Sequence, residues 1–205
     1  MALGPLLLAC QSPVTIATPN AGIYQEKVPG AYVVMIQTGA WHTEVENGGF
    51  TCGAWSFPTD FNSAYEASAK AAFTGAFEQV QFTPVELKPA DLAAKGYDAQ
   101  IIVYQGSLDA SYGIREELFS AKLIAAVEMD GIVAIVAPEG LVGQDSPGGS
   151  SRHEKGIFMC TEGTEIVARA GGEAVASFVK NAVRAARDKV LEWRARTPPL
   201  ASGSS

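Results

Sequence analysis

Two stripes of apolar residues at helical spacing limit what this chain can become. Phe61, Tyr65, Ala69, Ala72, Phe73, Ala76, Phe77 and Val80 recur every three or four residues, and so do Val175, Val179, Ala182, Val183, Ala186, Val190 and Trp193. Each stripe makes one dry face on a helix, and a dry face needs an apolar surface to lie on. Aromatics in so regular a stripe read as core rather than as a cofactor box. The first helix is expected to open at Pro58-Thr59-Asp60, with Asp60 or Thr59 as its cap, and the second to run from about Glu173 to Arg194.

Strands supply the surface those helices need. Tyr32 to Gln37 is a short apolar run rich in β-branched residues, and Trp41 to Glu46 continues it with alternation. Asn47-Gly48-Gly49 is a hairpin signal, which makes Phe50 to Trp55 the expected return strand. Val80 to Val85, Ala99 to Gln105, Phe119 to Glu128 and Ile132 to Ala137 follow, the last two joined at Asp130-Gly131 as antiparallel neighbours across a tight turn. Pro138-Glu139-Gly140 marks another turn, and the polar, glycine-rich stretch from Gly143 to Gly156 reads as a mobile loop before Ile157 to Cys160. The expected fold is α+β: an antiparallel sheet with two long amphipathic helices packed on one face.

With 47% hydrophobic and 18% charged residues, a chain of 205 can bury one proper core. That core is expected within residues 31–196, with a disordered tail at 197–205. Residues 11–30 carry Pro13, Pro19, Asn20, Gly22, Pro29 and Gly30 with little periodicity and read as a flexible tether. Extended, such a tether could hold the domain up to about 60 Å from its anchor.

The anchor is read from Leu7-Leu8-Ala9-Cys10, which matches a bacterial lipobox: apolar and small residues immediately before a cysteine that receives lipid after cleavage. Residues 1–9 are then the late part of a signal peptide and residues 10–30 the lipidated cysteine with its tether. Since no Lys or Arg precedes Lys27, the charged opening of such a signal is expected upstream or trimmed. No other run is long and apolar enough to span a bilayer, so the expectation is a domain fixed to the membrane through lipid on Cys10. Export also favours a disulfide between the remaining cysteines, Cys52 and Cys160, each set in an apolar, strand-like run, over two buried thiols that never meet. Closing so long a loop would restrict the unfolded chain by about 4 to 5 kcal/mol.

Charge and motif patterns exclude several functions. A net charge of −7 argues against nucleic acid, which selects basic surfaces. His153-Glu154 lacks a second histidine four residues on, and no CxxC pair occurs, so no metal site is expected. Gly140 to Gly149 lacks both the phosphate-loop ending and the dinucleotide spacing, and no GxSxG elbow exists, so no cofactor and no catalytic group are expected. One chemical alternative stands: a small periplasmic hydrolase using Cys52 as nucleophile with His42 or His153 as its base. Lys180, Arg184 and Arg187 form a basic face on the last helix, either an ordinary solvated face or a contact for lipid phosphates or an acidic partner. Trp41 and Trp55, beside the first hairpin, are either core residues or partner contacts.

The order of lipobox, polar tether, strand, long helix, several strands and terminal helix, from Cys10 to about Arg194, resembles a group of small periplasmic lipoproteins. The group includes the lipopolysaccharide-assembly lipoprotein and the auxiliary lipoproteins of ABC-type lipid transporters. Tyr97 to Val103 looks like the central strand these domains place after the first helix. The resemblance implies an outer-membrane anchor facing the periplasm, no catalytic activity, and a role as scaffold or accessory in envelope assembly or in lipid or glycolipid transport. Gln11 after the cysteine, rather than Asp, fits outer-membrane sorting.

Overall fold

A computed structural model of the chain describes residues 10–11, 13–18, 26–46, 55–117, 120–157 and 163–196. The expected signal remnant at 1–9, the tail at 197–205, the hairpin turn at 47–49, Cys52 and Cys160 lie outside them. The strands form two sheets. In the larger, β3 (Val28–Ile36), β6 (Phe77–Thr83), β7 (Ala99–Glu117), β8 (Ser120–Ala137) and β10 (Gly148–Ile157) stand in the order β10-β8-β7-β3-β6, with β9 (Gly140–Asp145) also beside β8. In the smaller, β1 (Cys10–Gln11) and β2 (Val14–Thr15) run parallel to β5 (Trp55–Asp60), and β4 (His42–Glu46) pairs with β5 antiparallel.

The larger sheet is mixed, which corrects the antiparallel expectation. β3 lies parallel to both β6 and β7, whereas β7, β9 and β10 each run antiparallel to β8. The reason is the connections. The chain returns from β3 to β6 through α1 (Asn62–Ala76), and α2 (Pro89–Lys95) carries it from β6 to β7, so each strand re-enters in the same direction. The architecture is mixed α/β with three helices among the described residues, the third being α3 (Gly163–Arg196).

Glycines account for the other departures. Asp130-Gly131 is no turn: β8 runs straight through it for 18 residues. A Cβ on Gly131 would sit 2.4 Å from the Tyr104 carbonyl oxygen and 2.9 Å from Phe178 Cζ, so the glycine is clearance for α3. The stretch expected to be a mobile loop, Gly143 to Gly156, is the second half of β9 and most of β10. A Cβ on Gly149 would lie 2.4 Å from the Phe178 nitrogen and 2.5 Å from the Ala174 oxygen, so the helix backbone rests directly on that strand. α3 spans 34 residues and begins ten positions before the expected start, burying Ile166, Val167 and Ala170 as well as the predicted stripe from Val175 to Val190, with Trp193 only partly buried. α1 is shorter than expected. Its stripe passes at Phe77 into β6 without a loop, and β5 occupies the residues expected to open it. The N-cap is Phe61, not Asp60 or Thr59, and it makes no side-chain cap; Asp60, one residue earlier, accepts the Asn62 N–H on its carboxylate at 2.9 Å.

The segment read as a tether is partly built into the fold. Val14 and Ile16 are buried in the core, and a Cβ on Gly171 of α3 would meet Ile16 Cδ1 at 2.6 Å. Between the layers, Trp41 packs against Tyr65 and Phe178 with ring centroids 4.8 Å apart in both cases. Phe57 of β5 meets Tyr112 of β7 edge to face, closing the smaller sheet onto the long β7–β8 ribbon.

Candidate functional site

A register shift in β7 builds a groove. Between Gln105 and Leu108 the pairing with β8 slips, which pushes Gly106 and Ser107 out of the ladder. Asp130 locks that bulge: Ser107 donates its backbone N–H to Oδ1 at 2.7 Å and its hydroxyl to Oδ2 at 2.6 Å. The freed Gly106 carbonyl accepts the Trp41 indole N–H at 3.2 Å. Beside the bulge, against α3, opens a groove of about 490 Å³ lined by Ser107, Asp109, Glu128, Asp130, Ser150 and Asn181 among others. Asn181 donates to the Gly148 carbonyl at 2.7 Å, fixing the helix side of the groove. Asp109 and Glu128 are directly opposite across the ladder, an unfavourable like-charge pair, and no cation pairs with either among the described residues. A second cavity of about 340 Å³ shares Gly148 and Asn181 and adds Asp145, Arg184 and Asp188. The lining of the first cavity is mostly hydroxyl, amide and carboxylate, with Met129 its one large apolar side chain among the described residues. It offers hydrogen bonds to a polar group.

A charged cluster joins β10 to the first half of α3. His153 Nε2 lies 2.7 Å from Glu173 Oε2, and the Ser151 hydroxyl donates to the same oxygen at 3.0 Å. Arg169 Nε donates to the other Glu173 oxygen at 3.2 Å, and Lys155 donates to Glu165 at 2.6 Å. The His153 hydrogen bond, with help from Ser151 and Arg169 and against partial desolvation, holds the Glu173 carboxyl below its usual 4.5. Ser151 donates to the carboxylate and not to the imidazole, so the three side chains do not form a serine–histidine–carboxylate relay. His42, the other histidine, is exposed on β4.

The predicted site residues do not converge. The Cys10 backbone pairs with that of Trp55 at the start of β5. The Trp55 side chain lies outside the described residues. Trp41 is fully buried, which corrects its reading as a partner contact: an indole that fills the core and donates to a carbonyl has no free face. Arg187 is likewise a clamp, not a contact surface, since its Nη1 donates to the Glu26 carbonyl at 2.8 Å and the Ala76 carbonyl at 3.0 Å. Lys180 and Arg184 remain exposed, and Arg184 lines the second cavity. Sequence reasoning missed Ser107, Asp130 and Asn181. Asp130-Gly131 carried a signal, but the signal is shared with a turn.

No helix among the described residues is long and apolar enough to cross a membrane. No family model matches the chain, and no curated protein matches it. Among solved structures, a Xanthomonas campestris protein of the DUF330 family is similar over 90% of this chain and 98% of its own, at 12% identity and a TM-score of 0.48. A neuraminyllactose-binding hemagglutinin homolog from Helicobacter pylori is similar over 89% of this chain and 96% of its own, at 13% identity and a TM-score of 0.43. A hypothetical protein from Chlamydia trachomatis covers 80% of this chain and 95% of its own, at 10% identity and a TM-score of 0.36.

Proposed function

We propose that the protein is a non-catalytic lipoprotein, held by acyl chains on Cys10 at the periplasmic face of the outer membrane. There it serves as scaffold or accessory in envelope assembly or in lipid or glycolipid transport. The observation that carries this reading is Leu7-Leu8-Ala9-Cys10, placed immediately ahead of a segment that seats in the folded domain. The polar groove against α3 supports recognition, because the Ser107 hydroxyl and the Asn181 amide that line it are held in place by the Asp130 carboxylate and the Gly148 carbonyl. Its partner is an envelope protein or the polar part of a lipid or glycolipid.

Fractionation of cells making the full precursor tests the anchor. The wild type is expected in the membrane fraction and Cys10→Ser in the soluble one; a variant that fractionates like the wild type overturns the reading. Alkylation of the purified protein without reductant tests the absence of chemistry at Cys52. Two cysteines that react only after reduction are expected, whereas one hyper-reactive thiol would establish a cysteine nucleophile instead.

A further inference from the structure

The short chain between Cys10 and the core has a geometric consequence. Sequence composition allows a tether of roughly 60 Å, but Val14 is already buried and paired with Thr59. It is four residue steps from Cys10, at most about 13 Å of extended chain. Cys10 and Gln11 are themselves paired along β5, opposite Trp55 and Ser56. The seat for this strap is cut into α3. Glycine inside a helix costs about 1 kcal/mol relative to alanine, yet α3 carries Gly171 where Ile16 Cδ1 and Phe61 Cε1 stand 2.6 and 2.7 Å from the missing Cβ.

Direction along the strap then decides which end of the domain the anchor leaves from. From Thr15 back to Cys10 the strap follows β5 from Asp60 toward Trp55. Along the way lies Phe57, which touches Tyr112 of β7 and faces Gly163, the first residue of α3. Cys10 therefore leaves the molecule at the pole formed by the α3 N-terminus and the far end of the β7–β8 ribbon. α3 runs away from that pole for 34 residues, about 50 Å at 1.5 Å per residue. Its other end is tied to the start of β3, where Arg194 donates to the Pro29 carbonyl and to the Tyr32 hydroxyl.

We infer that the seated strap fixes the domain's orientation on a lipid bilayer: the pole at the α3 N-terminus rests at the headgroups, and the pole carrying α2 and the α3 C-terminus stands about 50 Å out. The inference rests on the reading of Cys10 as lipidated. The bilayer is the occupant of that pole because the acylated residue emerges there with no free chain to span a gap. The groove between the β7 bulge and α3 lies partway along α3, at Ser177 and Asn181, clear of the lipid and facing the periplasmic space.

The test uses the full-length lipidated protein in vesicles of phosphatidylethanolamine and phosphatidylglycerol that contain a headgroup-nitroxide lipid. A fluorescent amino acid is placed either at Arg115, exposed near the end of β7, or at Ala94, exposed on α2. The expected result is several-fold stronger quenching at Arg115 than at Ala94. Equal quenching, or stronger quenching at Ala94, overturns the orientation. Mass spectrometry of the N-terminal peptide separates the two levels of the argument. A lipid-free Cys10 removes the anchor and the orientation together, whereas a lipidated Cys10 with equal quenching overturns the orientation alone. Ile16→Asp, which puts a charge into the seat, is expected to abolish the difference between the two labels in protein that retains its circular dichroism. If the difference survives, the strap does not set the orientation.

Discussion

Gly149→Ala should lift the terminal helix from the sheet. The added Cβ would stand 2.4 Å from the Phe178 nitrogen, 2.5 Å from the Ala174 oxygen and 2.7 Å from Phe178 Cβ. Two of these atoms are helix backbone, so no rotamer change relieves the overlap. Restoring ordinary contact distances of roughly 3.5 Å requires α3 and β10 to part by about 1 Å, and a gap of that size forfeits a quarter to a half of each dispersion contact it opens. The layer that parts includes Ala174, Val175, Phe178, Val179 and Ala182, all buried. Overpacking alone costs about 1 to 3 kcal/mol, and the opened contacts bring the expected loss to about 3 to 5 kcal/mol. In a chain of this size that is about 10 °C in melting temperature. Urea unfolding followed by circular dichroism measures it. Gly75→Ala, in α1 where nothing lies within 4 Å, is the matched control and should gain about 0.5 to 1 kcal/mol. If Gly149→Ala unfolds within about 0.5 kcal/mol of the wild type, a span ordinary for surface substitutions, the helix does not rest on that strand as described.

Two further outcomes follow from single side chains. The Tyr65 hydroxyl is buried with no hydrogen-bond partner among the described residues, and that of Tyr112 is buried with only the Thr59 side chain close enough to oppose its rise; burial pushes both phenols up, Tyr112 to about 12. Tyr65→Phe and Tyr112→Phe should therefore be neutral or stabilising by up to about 1 kcal/mol in urea unfolding; a clear loss would mean that each hydroxyl holds a partner. Glu173, held below 4.5 by His153, contributes stability that is present above that value and is lost as pH falls through its lower folded value. The gap in melting temperature between wild type and Glu173→Gln should accordingly be full near neutrality and close on acidification below pH 4.5. A gap independent of pH would assign Glu173 a packing role instead.

How far the fold could be read follows from how local each signal is. The two apolar stripes are local, and the residues Tyr65, Ala69, Ala72, Phe73, Val175, Val179, Ala182 and Val190 are buried on α1 and α3. The direction of β3 relative to β6 and β7 is not local, because it depends on where the chain goes between strands, and so a mixed sheet was read as antiparallel. Gly131 shows the deeper difficulty. A glycine after aspartate serves equally as a turn and as clearance for a helix some fifty residues away in the chain, and only the position of Phe178 decides between them. The same ambiguity made a polar loop out of the residues whose small size lets α3 approach β10.

The candidate site was less legible than the fold for a related reason. A lipobox is recognised by an enzyme as a linear peptide, so its information is complete in four adjacent residues. The groove beside α3 has no such economy: Ser107 is available only because β7 slips, Asp130 is aimed only because that slip needs a partner, and Asn181 arrives from the helix. None of these residues stands in a motif. Arg187 and Trp41 make the converse point. A cation on a helix and an aromatic beside a hairpin carry the composition of contact surfaces, but each meets an unsatisfied carbonyl inside the molecule, and a buried carbonyl is a stronger claimant than a partner in solution. With those two spent on the fold, Lys180 and Arg184 stay exposed on α3, and Arg184 lines the second cavity, which shares Gly148 and Asn181 with the groove. That surface lies on the middle stretch of α3, between its two ends.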